Sequence, residues 1–321
     1  RRNEQKRLRH LESWLWARLF HPLLPLGRPS AAAKAQGNAA LAQKLQNAGL
    51  PEEKARGRVR SLAEALRSPP QLGPPAGLGR VDVERRGGLA VLACGERTVE
   101  ISHGHLEKLR GLYSGKDFHA SAFLLLARYR ILQVHSKGGG NQGAISKAVF
   151  SALQQWAGGP VIEAFASPLN SLAPSGHYHS AFLDVDGPFG SLGSFFDAAP
   201  LEGVVEVNPP FDEDVVRRTA EVCDCALESA AAARKILVFL VVIPETDWPG
   251  HSALLASRYR RVHRTLRSGQ HFYTVGNQHT NVQMAYPASR NTTVFVLASQ
   301  LISGAAKLAD AVSAAFRERP A

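Results

Sequence analysis

The chain has 321 residues and a formal net charge of +11, with hydrophobic residues at 45% and charged residues at 20%. This composition is typical of a folded protein, and at roughly 150 residues per domain the length predicts about two domains. Three cysteines exclude a disulfide framework, and no apolar run in the sequence approaches the roughly 20 residues of a membrane-spanning helix.

The positive charge is concentrated in residues 1–80. They contain 15 Lys and Arg against 5 Asp and Glu, whereas residues 81–321 contain 23 against 22. A basic segment joined to a nearly neutral body predicts a surface that binds a polyanion, next to a site with a different function. A solvated helical arm is the alternative interpretation of the same charge.

Hydrophobic spacing predicts that the basic segment is mainly helical. Its predicted helices cover residues 1–20, 31–50 and 52–66, with prolines in the breaks between them. Short strands are predicted around 81–83 and 89–92, followed by helices over 106–113 and 120–134. These elements make up the first predicted domain, residues 1–135.

The second predicted domain, residues 136–321, alternates between strands and helices as an α/β fold does. Its glycine-rich start, 137–143, fits no phosphate-binding pattern and is interpreted as an ordinary loop. The predicted strands are 161–166, 203–207, 236–243 and 292–297, and the predicted helices are 145–156, 213–229 and 305–317. The apolar strand 236–243 is typical of the centre of a parallel sheet, and ligands bind where such strands end.

One tetrapeptide in this domain indicates a specific chemistry. Asn208, Pro209, Pro210 and Phe211 directly follow the strand 203–207. Such a turn marks methyltransferases that act on exocyclic or amide nitrogens. The N6 amine of adenine is a poor nucleophile because its lone pair is delocalised into the ring. The Asn208 oxygen and the Pro209 carbonyl are expected to accept both amine hydrogens and turn the lone pair towards a methyl donor.

The rest of the turn fits the same chemistry. Pro209 and Pro210 lock the backbone, so that the two acceptors are preorganised. Phe211 offers a ring on which an extruded base stacks. No general base is needed first, because the sulfonium of S-adenosylmethionine is already activated and positioning does most of the work. A proline turn that only caps a strand is the alternative interpretation.

A donor site is expected at the end of the preceding strand, within Glu163–Asn170. The glycine-rich loop that usually admits the donor's methionine half is absent there, and Ala164, Ala166 and Ser167 are the small residues that replace it. No metal is expected in the chain, because its closely spaced histidines lack the Cys or carboxylate partners of a metal site.

Several separated motifs resemble, in order, the catalytic domain of the phosphorylated-CTD-interacting-factor family, over residues 100–300. They are Glu163–Asn170, Ser180–Phe182, Asp184, Asp186–Gly187, Phe189–Ser191, Val207–Phe211, Phe239–Glu245, Arg267–His271 and Asn291–Val294. The resemblance implies a Rossmann-like methyltransferase domain with an N-terminal mainly helical domain, and cap binding between them. It also implies S-adenosylmethionine-dependent N6-methylation of the 2′-O-methyladenosine next to the 7-methylguanosine cap of mRNA, in the nucleus.

Residue roles follow from the same resemblance. The residues that hold the target adenine are Asn208, Pro209, Pro210 and Phe211. The donor, which leaves as S-adenosylhomocysteine, is bound by Glu163, Phe165, Ser167, Asn170 and Asn208, with Gln142 and Gly143 closing over it. The residues expected to contact RNA phosphate, the cap triphosphate or nearby RNA are Arg264, Arg267, Ser268, His271 and Glu245. The arginine-rich run 258–267 has a solvated face as its alternative interpretation.

The sequence leaves more than one partner and more than one substrate open. Animal members of the family carry a WW domain that binds the phosphorylated tail of RNA polymerase II; we expect none in this sequence and do not carry that partner over. The expected partner is the capped 5′ end of mRNA. The same turn also serves enzymes that methylate DNA adenine, internal mRNA adenosine or a glutamine amide. A catalytically silent RNA-binding adaptor of the same fold is the alternative from another class.

Overall fold

The computed structural model describes residues 39, 41–65, 78–133, 143–197, 199–275, 279–280 and 285–319. The chain divides into two compact units, 1–71 and 72–321. The domain boundary predicted at 135/136 falls within the range of the second unit and stays a prediction. The helix predicted over 1–20 and most of the glycine-rich loop, including Gln142, lie outside the described residues. None of the described helices is both long and apolar enough to cross a membrane.

The first unit contains a helical segment, 41–47, and helix α1 (Glu52–Ala65). Apolar residues three and four apart on both segments bury each other in a small core, formed by Leu41, Ala42, Leu45, Ala55 and Val59. The basic residues of α1 remain on its outer side, where Lys54, Arg56, Arg58 and Arg60 are exposed. The predicted helix 52–66 is therefore confirmed, and part of the basic charge lies on a solvated face.

The second unit begins with an antiparallel sheet of β1 (Asp82–Arg86), β2 (Leu89–Cys94) and β3 (Arg97–Ser102). The sequence predicted strands at β1 and β2 but missed β3, in which only Val99 and Ile101 are buried. Helices α2 (His103–Leu112) and α3 (Phe118–Gln133) follow.

The remainder of the unit is built around a second, larger sheet. The strands in chain order are β4 (Val161–Ala166), β5 (Tyr178–Ser180), β6 (Gly203–Val207), β7 (Leu237–Pro244), β8 (Arg260–Leu266), β9 (Phe272–Thr274), β10 (Ala285–Pro287) and β11 (Thr292–Ala298). Six of them form one sheet in the order β5-β4-β6-β7-β11-β8, while β9 and β10 pair separately. The first four are parallel, and β11 is antiparallel to both β7 and β8.

The expectation of a parallel sheet around 236–243 was therefore wrong on one side of β7. That strand pairs parallel with β6 and antiparallel with β11, so the sheet is mixed. All eight residues of β7 are buried. An unbroken apolar run reports burial on both faces, but it carries no information about the direction of the neighbouring strands.

Helices cover the sheet on both faces. They are α4 (Lys147–Ala157), the short α5 (Leu183–Asp186), α6 (Glu213–Ala232), α7 (Pro249–Ala256) and α8 (Ala305–Arg317). Helices α4 and α8 form one core with Val238, Leu240 and Val242 of β7. Side chains alternate along a strand, so the intervening residues of β7 face the other side, where α6 packs.

The strand order reverses between β4 and β6. From β4 the chain passes to β5 on one side and then returns to β6 on the other side of β4. The carboxyl ends of these two parallel strands diverge into connections on opposite sides, which leaves a crevice. Ser167 follows β4 and Asn208 follows β6, so both predicted halves of the site start at this crevice.

Candidate functional site

Asn208 lies at the crevice, where the nitrogen of its side-chain amide is hydrogen-bonded and the oxygen has no partner among the described residues. The residue is 7% exposed. Its Nδ2 donates a hydrogen bond of 2.9 Å to the Gly143 carbonyl. Its Oδ1 is buried and has no hydrogen-bond partner among the described residues. Leaving a buried acceptor unpaired costs about 1–3 kcal/mol, so Oδ1 is a ready acceptor for a ligand.

The turn after Asn208 is fixed on both sides. Pro209 is buried, and the amide of Asp212 donates to the Pro210 carbonyl at 2.8 Å. The Asp212 side chain then accepts from the amides of Asp214 and Val215 and caps α6. A short side-chain oxygen at a helix start satisfies amides that otherwise lack partners, which anchors the turn to the helix.

A cavity of about 250 Å³ lies beside Phe211. Its lining is mainly aromatic and apolar, with few polar groups, and consists of Phe211, Pro244, Thr246, Trp248, Tyr273, Tyr286, Ala288, Ser289, Arg290 and Thr292. Tyr273 meets Phe211 edge to face at 5.7 Å between ring centroids, and stacks with Tyr286 at 6.1 Å. Flat aromatic walls with a few polar groups suit a nucleobase.

The loop 267–271 at this end of the sheet is fastened to the segment that follows β10. The Ser268 amide donates to Asn291 Oδ1 at 2.9 Å, and the Gly269 amide donates to the Ala288 carbonyl at 2.8 Å. Asn291 Nδ2 in turn donates to Glu245 Oε2 at 2.7 Å. These bonds join the ends of β7 and β8 near the aromatic cavity.

The structure places the residues predicted to contact RNA in different surroundings. Arg267, Ser268 and Gln270 are exposed on the loop. His271 is fully buried, with Nδ1 2.9 Å from the Arg267 carbonyl and Nε2 2.8 Å from Thr292 Oγ1. Burial lowers the pKa of His271, so this ring supports the loop as a neutral group. Arg264 pairs with Asp310 at 2.7 Å. Their roles towards RNA stay predictions.

Most of the run 258–267 lies in β8, which the sequence did not predict as a strand. Besides the Arg264 pair, Arg258 pairs with Glu228 at 2.8 Å, and Arg261 donates to the carbonyls of Ala298 and Gln300. These arginines therefore have partners within the protein. Arg267, just past the strand, and Arg290, on the cavity wall, are exposed side chains at the site.

The predicted donor residues form one corner at the end of β4. Glu163 is 5% exposed, and its Oε2 accepts from Ser171 Oγ at 3.1 Å and from the Leu172 and Ala173 amides at 2.7 and 2.6 Å. This carboxyl holds the loop after β4 against the strand. Lys108 fixes the same loop from α2, since its Nζ donates to the Leu169 and Ser171 carbonyls.

The loop itself is closed by a local bond. The amide and Oγ of Ser167 donate to Asn170 Oδ1 at 2.7 and 2.8 Å. Phe165 packs against Phe195 and Phe196, with ring centroids 5.6 and 5.4 Å apart. The structure thus brings Glu163, Ser167 and Asn170 together, and it brings Gly143 to Asn208. Gln142 lies outside the described residues, and all these donor roles stay predictions.

Sequence reasoning missed Glu206, the residue that pairs in register with Glu163 across β6 and β4. Glu206 is 3% exposed, and its Oε1 has no hydrogen-bond partner in the part of the chain that the structure describes. Burial, and then the neighbouring charge of Glu163, raises its pKa well above the usual value. The available signal was a single acidic residue in the strand Val204-Val205-Glu206-Val207, directly before the proline turn.

No group of three or more His, Cys, Asp or Glu side chains that could hold a metal ion occurs within the described residues. The described groups at this end of the sheet are the turn's acceptors, two buried carboxyls, aromatic walls and exposed arginines. Such a set can bind a flat base and a cationic small molecule side by side.

Comparison with known proteins identifies the family. The family model described as "Phosphorylated CTD interacting factor 1 WW domain" matches residues 108–276, more than half of the chain. In this structure that range contains β4 to β9 and both strand ends of the crevice. Two proteins named mRNA (2′-O-methyladenosine-N(6)-)-methyltransferase, from Homo sapiens and Mus musculus, are each 35% identical to the chain over 211 residues.

These alignments cover 62% of this chain and 30% of each relative, so the chain spans about a third of the length of the curated relatives it matches. The family match nevertheless covers the elements that build the crevice. The chain belongs to the phosphorylated CTD interacting factor 1 family.

Proposed function

We propose that this chain transfers a methyl group from S-adenosylmethionine to N6 of the adenosine, or 2′-O-methyladenosine, next to the 7-methylguanosine cap of mRNA. The observation that carries the proposal is the buried Oδ1 of Asn208, which has no partner among the described residues and belongs to the same turn as Phe211, a residue of the cavity wall. The names of the two relatives support mRNA adenosine N6 as the acceptor.

The orientation of Asn208 fits an amine acceptor. The Gly143 carbonyl accepts from Nδ2 and so selects the amide orientation that leaves Oδ1 for the ligand. With Oδ1 and the Pro209 carbonyl accepting the N6 hydrogens, the nitrogen lone pair turns out of the ring plane. Phe211 and the cavity walls hold the base in that position by stacking, so transfer is favoured by orientation.

The crevice also fits the methyl donor. S-adenosylmethionine supplies a methyl group already activated on a positively charged sulfonium. At the end of β4, Ser167 and Asn170 form the compact corner beside Phe165 that would hold it. The buried Oε1 of Glu206, which has no partner in the described part of the chain, is the second indication of a ligand on this side. The mixed sheet with its reversal between β4 and β6 supports a Rossmann-like methyltransferase fold.

Exposed positive charge supports RNA as the substrate. Arg290 lines the cavity and Arg267 lies on the neighbouring loop, where both side chains are exposed. Arginine is suited to phosphate because its planar guanidinium donates two parallel hydrogen bonds. The basic residues of 1–80 add sequence-independent affinity for the phosphate backbone. A nuclear location remains a prediction from the family resemblance.

A methyl-transfer assay with labelled donor tests the proposal. The substrates are capped RNAs that begin with A, 2′-O-methyl-A, G or C, together with uncapped RNA and DNA. We expect transfer only to capped RNAs that begin with adenosine, and loss of transfer when Asn208 is replaced by Ala. Equal transfer to DNA or uncapped RNA would assign another adenine substrate. Binding of capped RNA with no donor binding would identify a silent adaptor.

A further inference from the structure

The end of β6 carries two buried oxygens, not one, that lack partners among the residues that the structure describes. Side chains two residues apart on an extended chain point to the same side, which places Glu206 and Asn208 together. Glu206 Oε1 and Asn208 Oδ1 both lack hydrogen-bond partners among the described residues. Two unpaired polar atoms side by side indicate a ligand that contacts both.

Glu163, the neighbouring carboxyl, has the hydrogen bonds expected of a buried group with a structural role. Glu163 and Glu206 face each other in register, and each is at least nine-tenths buried. Glu163 Oε2 accepts three hydrogen bonds from the loop after β4. Glu206 Oε1 accepts none in the described part of the chain. A buried carboxyl without such bonds destabilises a fold, which is understandable where a cationic ligand supplies the missing partner.

We propose that Glu206 binds the α-ammonium group of the methionine half of S-adenosylmethionine and thereby sets the position of the sulfonium relative to Asn208. This inference rests on the proposed function. Two residues of a strand span about 6.6 Å, a distance similar to the length of a methionine side chain. An ammonium at Glu206 therefore leaves the methyl-bearing sulphur beside Asn208. Both oxygens are covered by protein atoms, so the donor displaces part of this cover.

A change in the protonation of Glu206 would be a measurable sign of this contact. The titratable groups that face it are Glu163 on β4 and Tyr273 on β9, and Lys108 lies beyond Glu163. Its neighbour in register on β7, Leu240, is apolar, as are the buried residues of α4. Burial, and then the charge of Glu163, raises the pKa of Glu206, which favours the protonated carboxyl while no donor is bound. An ammonium beside it favours the ionised form, so donor binding releases a proton.

Isothermal titration of three ligands tests the assignment on the full chain. S-adenosylmethionine and S-adenosylhomocysteine carry the ammonium, whereas 5′-methylthioadenosine lacks it. The variant is Glu206→Gln, which keeps the shape of the side chain. The matched control is Glu228→Gln, which makes the same substitution on the exposed surface of α6. Titrations at about pH 6.5 in buffers of different ionisation enthalpy count the protons released, and thermal melts of each variant check folding.

We expect Glu206→Gln to weaken both ammonium ligands about 10- to 100-fold, to leave 5′-methylthioadenosine unchanged and to abolish proton release. Unchanged affinities in the variant, with donor binding intact in the unmodified chain, overturn the inference alone. Weakening confined to S-adenosylmethionine would place Glu206 at the sulfonium and overturn the ammonium assignment. Absence of donor binding in the unmodified chain overturns the proposed function and this inference together.

Discussion

Replacing Asn208 with Ala should remove catalysis with little effect on folding. In the proposed mechanism, the Oδ1 atom accepts a hydrogen bond from N6, and this bond strengthens as positive charge develops on the nitrogen during transfer. Removing one preorganised group that stabilises developing charge costs about 10²–10³-fold in kcat, or about 3–4 kcal/mol. Stacking in the cavity and phosphate contacts do not involve this side chain, so the affinity for capped RNA should remain.

The effect on stability follows from the two ends of the amide. The variant loses the 2.9 Å bond from Nδ2 to Gly143, which contributes about 1 kcal/mol. It also removes Oδ1, a buried oxygen without a partner in the described structure, whose unpaired burial costs about 1–3 kcal/mol. These terms oppose each other. The free energy of unfolding should therefore stay the same or rise by up to about 2 kcal/mol.

Asn291→Ala is the matched control. Its amide is used at both ends, with Oδ1 accepting from the Ser268 amide at 2.9 Å and Nδ2 donating to Glu245 at 2.7 Å. Losing both bonds should lower the free energy of unfolding by about 2 kcal/mol. Urea unfolding of both variants, with single-turnover methyl transfer, provides the comparison. A stability loss for Asn208→Ala as large as that of the control, or retained turnover, would refute the reasoning.

Three further predictions concern packing, pH and RNA. Gly250→Ala should destabilise the protein by about 1–3 kcal/mol in urea unfolding, because a Cβ there would lie 2.6 Å from the Arg217 amide nitrogen in α6. Burial raises the pKa of Asp186 to about 7, so the folded state binds a proton that the unfolded state has lost. The free energy of unfolding should therefore fall as the pH rises from about 4 to 7. Asp186→Asn should remove this pH dependence in unfolding measurements. Arg267→Ala should weaken RNA binding at low salt and reduce the salt slope by about 1 in filter binding, whereas unchanged binding would contradict a phosphate contact.

The elements that the sequence predicted well are those whose signal is local. The apolar strands 161–166 and 203–207 and the helix 305–317 have the predicted bounds. Two of the strands it missed lack that signal. β5 has only three residues, and β8 is an edge strand whose arginines hide the alternation. The partners of those arginines, among them Asp310 and the Ala298 carbonyl, come from distant parts of the chain.

The same distinction applies to the site. The Asn208 turn was recognisable because its chemistry is contained in consecutive residues. The aromatic cavity was not, since it combines Phe211 with Trp248, Tyr273 and Tyr286 from three other segments. Glu206 was visible as an acidic residue in an apolar strand, but its meaning depends on the register that sets it beside Glu163. β4 and β6 are parallel, so no hairpin turn joins them and their register follows from the assembled sheet.

The unpaired oxygens also bear on the choice between an enzyme and a silent adaptor. An adaptor needs surface that RNA can reach, which the arginines and the aromatic cavity provide. Asn208 Oδ1 and Glu206 Oε1 are covered, so they add nothing to an RNA-binding surface, while each lowers the stability of the fold. The cost is explained if both atoms receive partners only when base and donor are bound. Wild-type protein should therefore gain more thermal stability from the two ligands together than Asn208→Ala does, whereas equal gains would favour the adaptor.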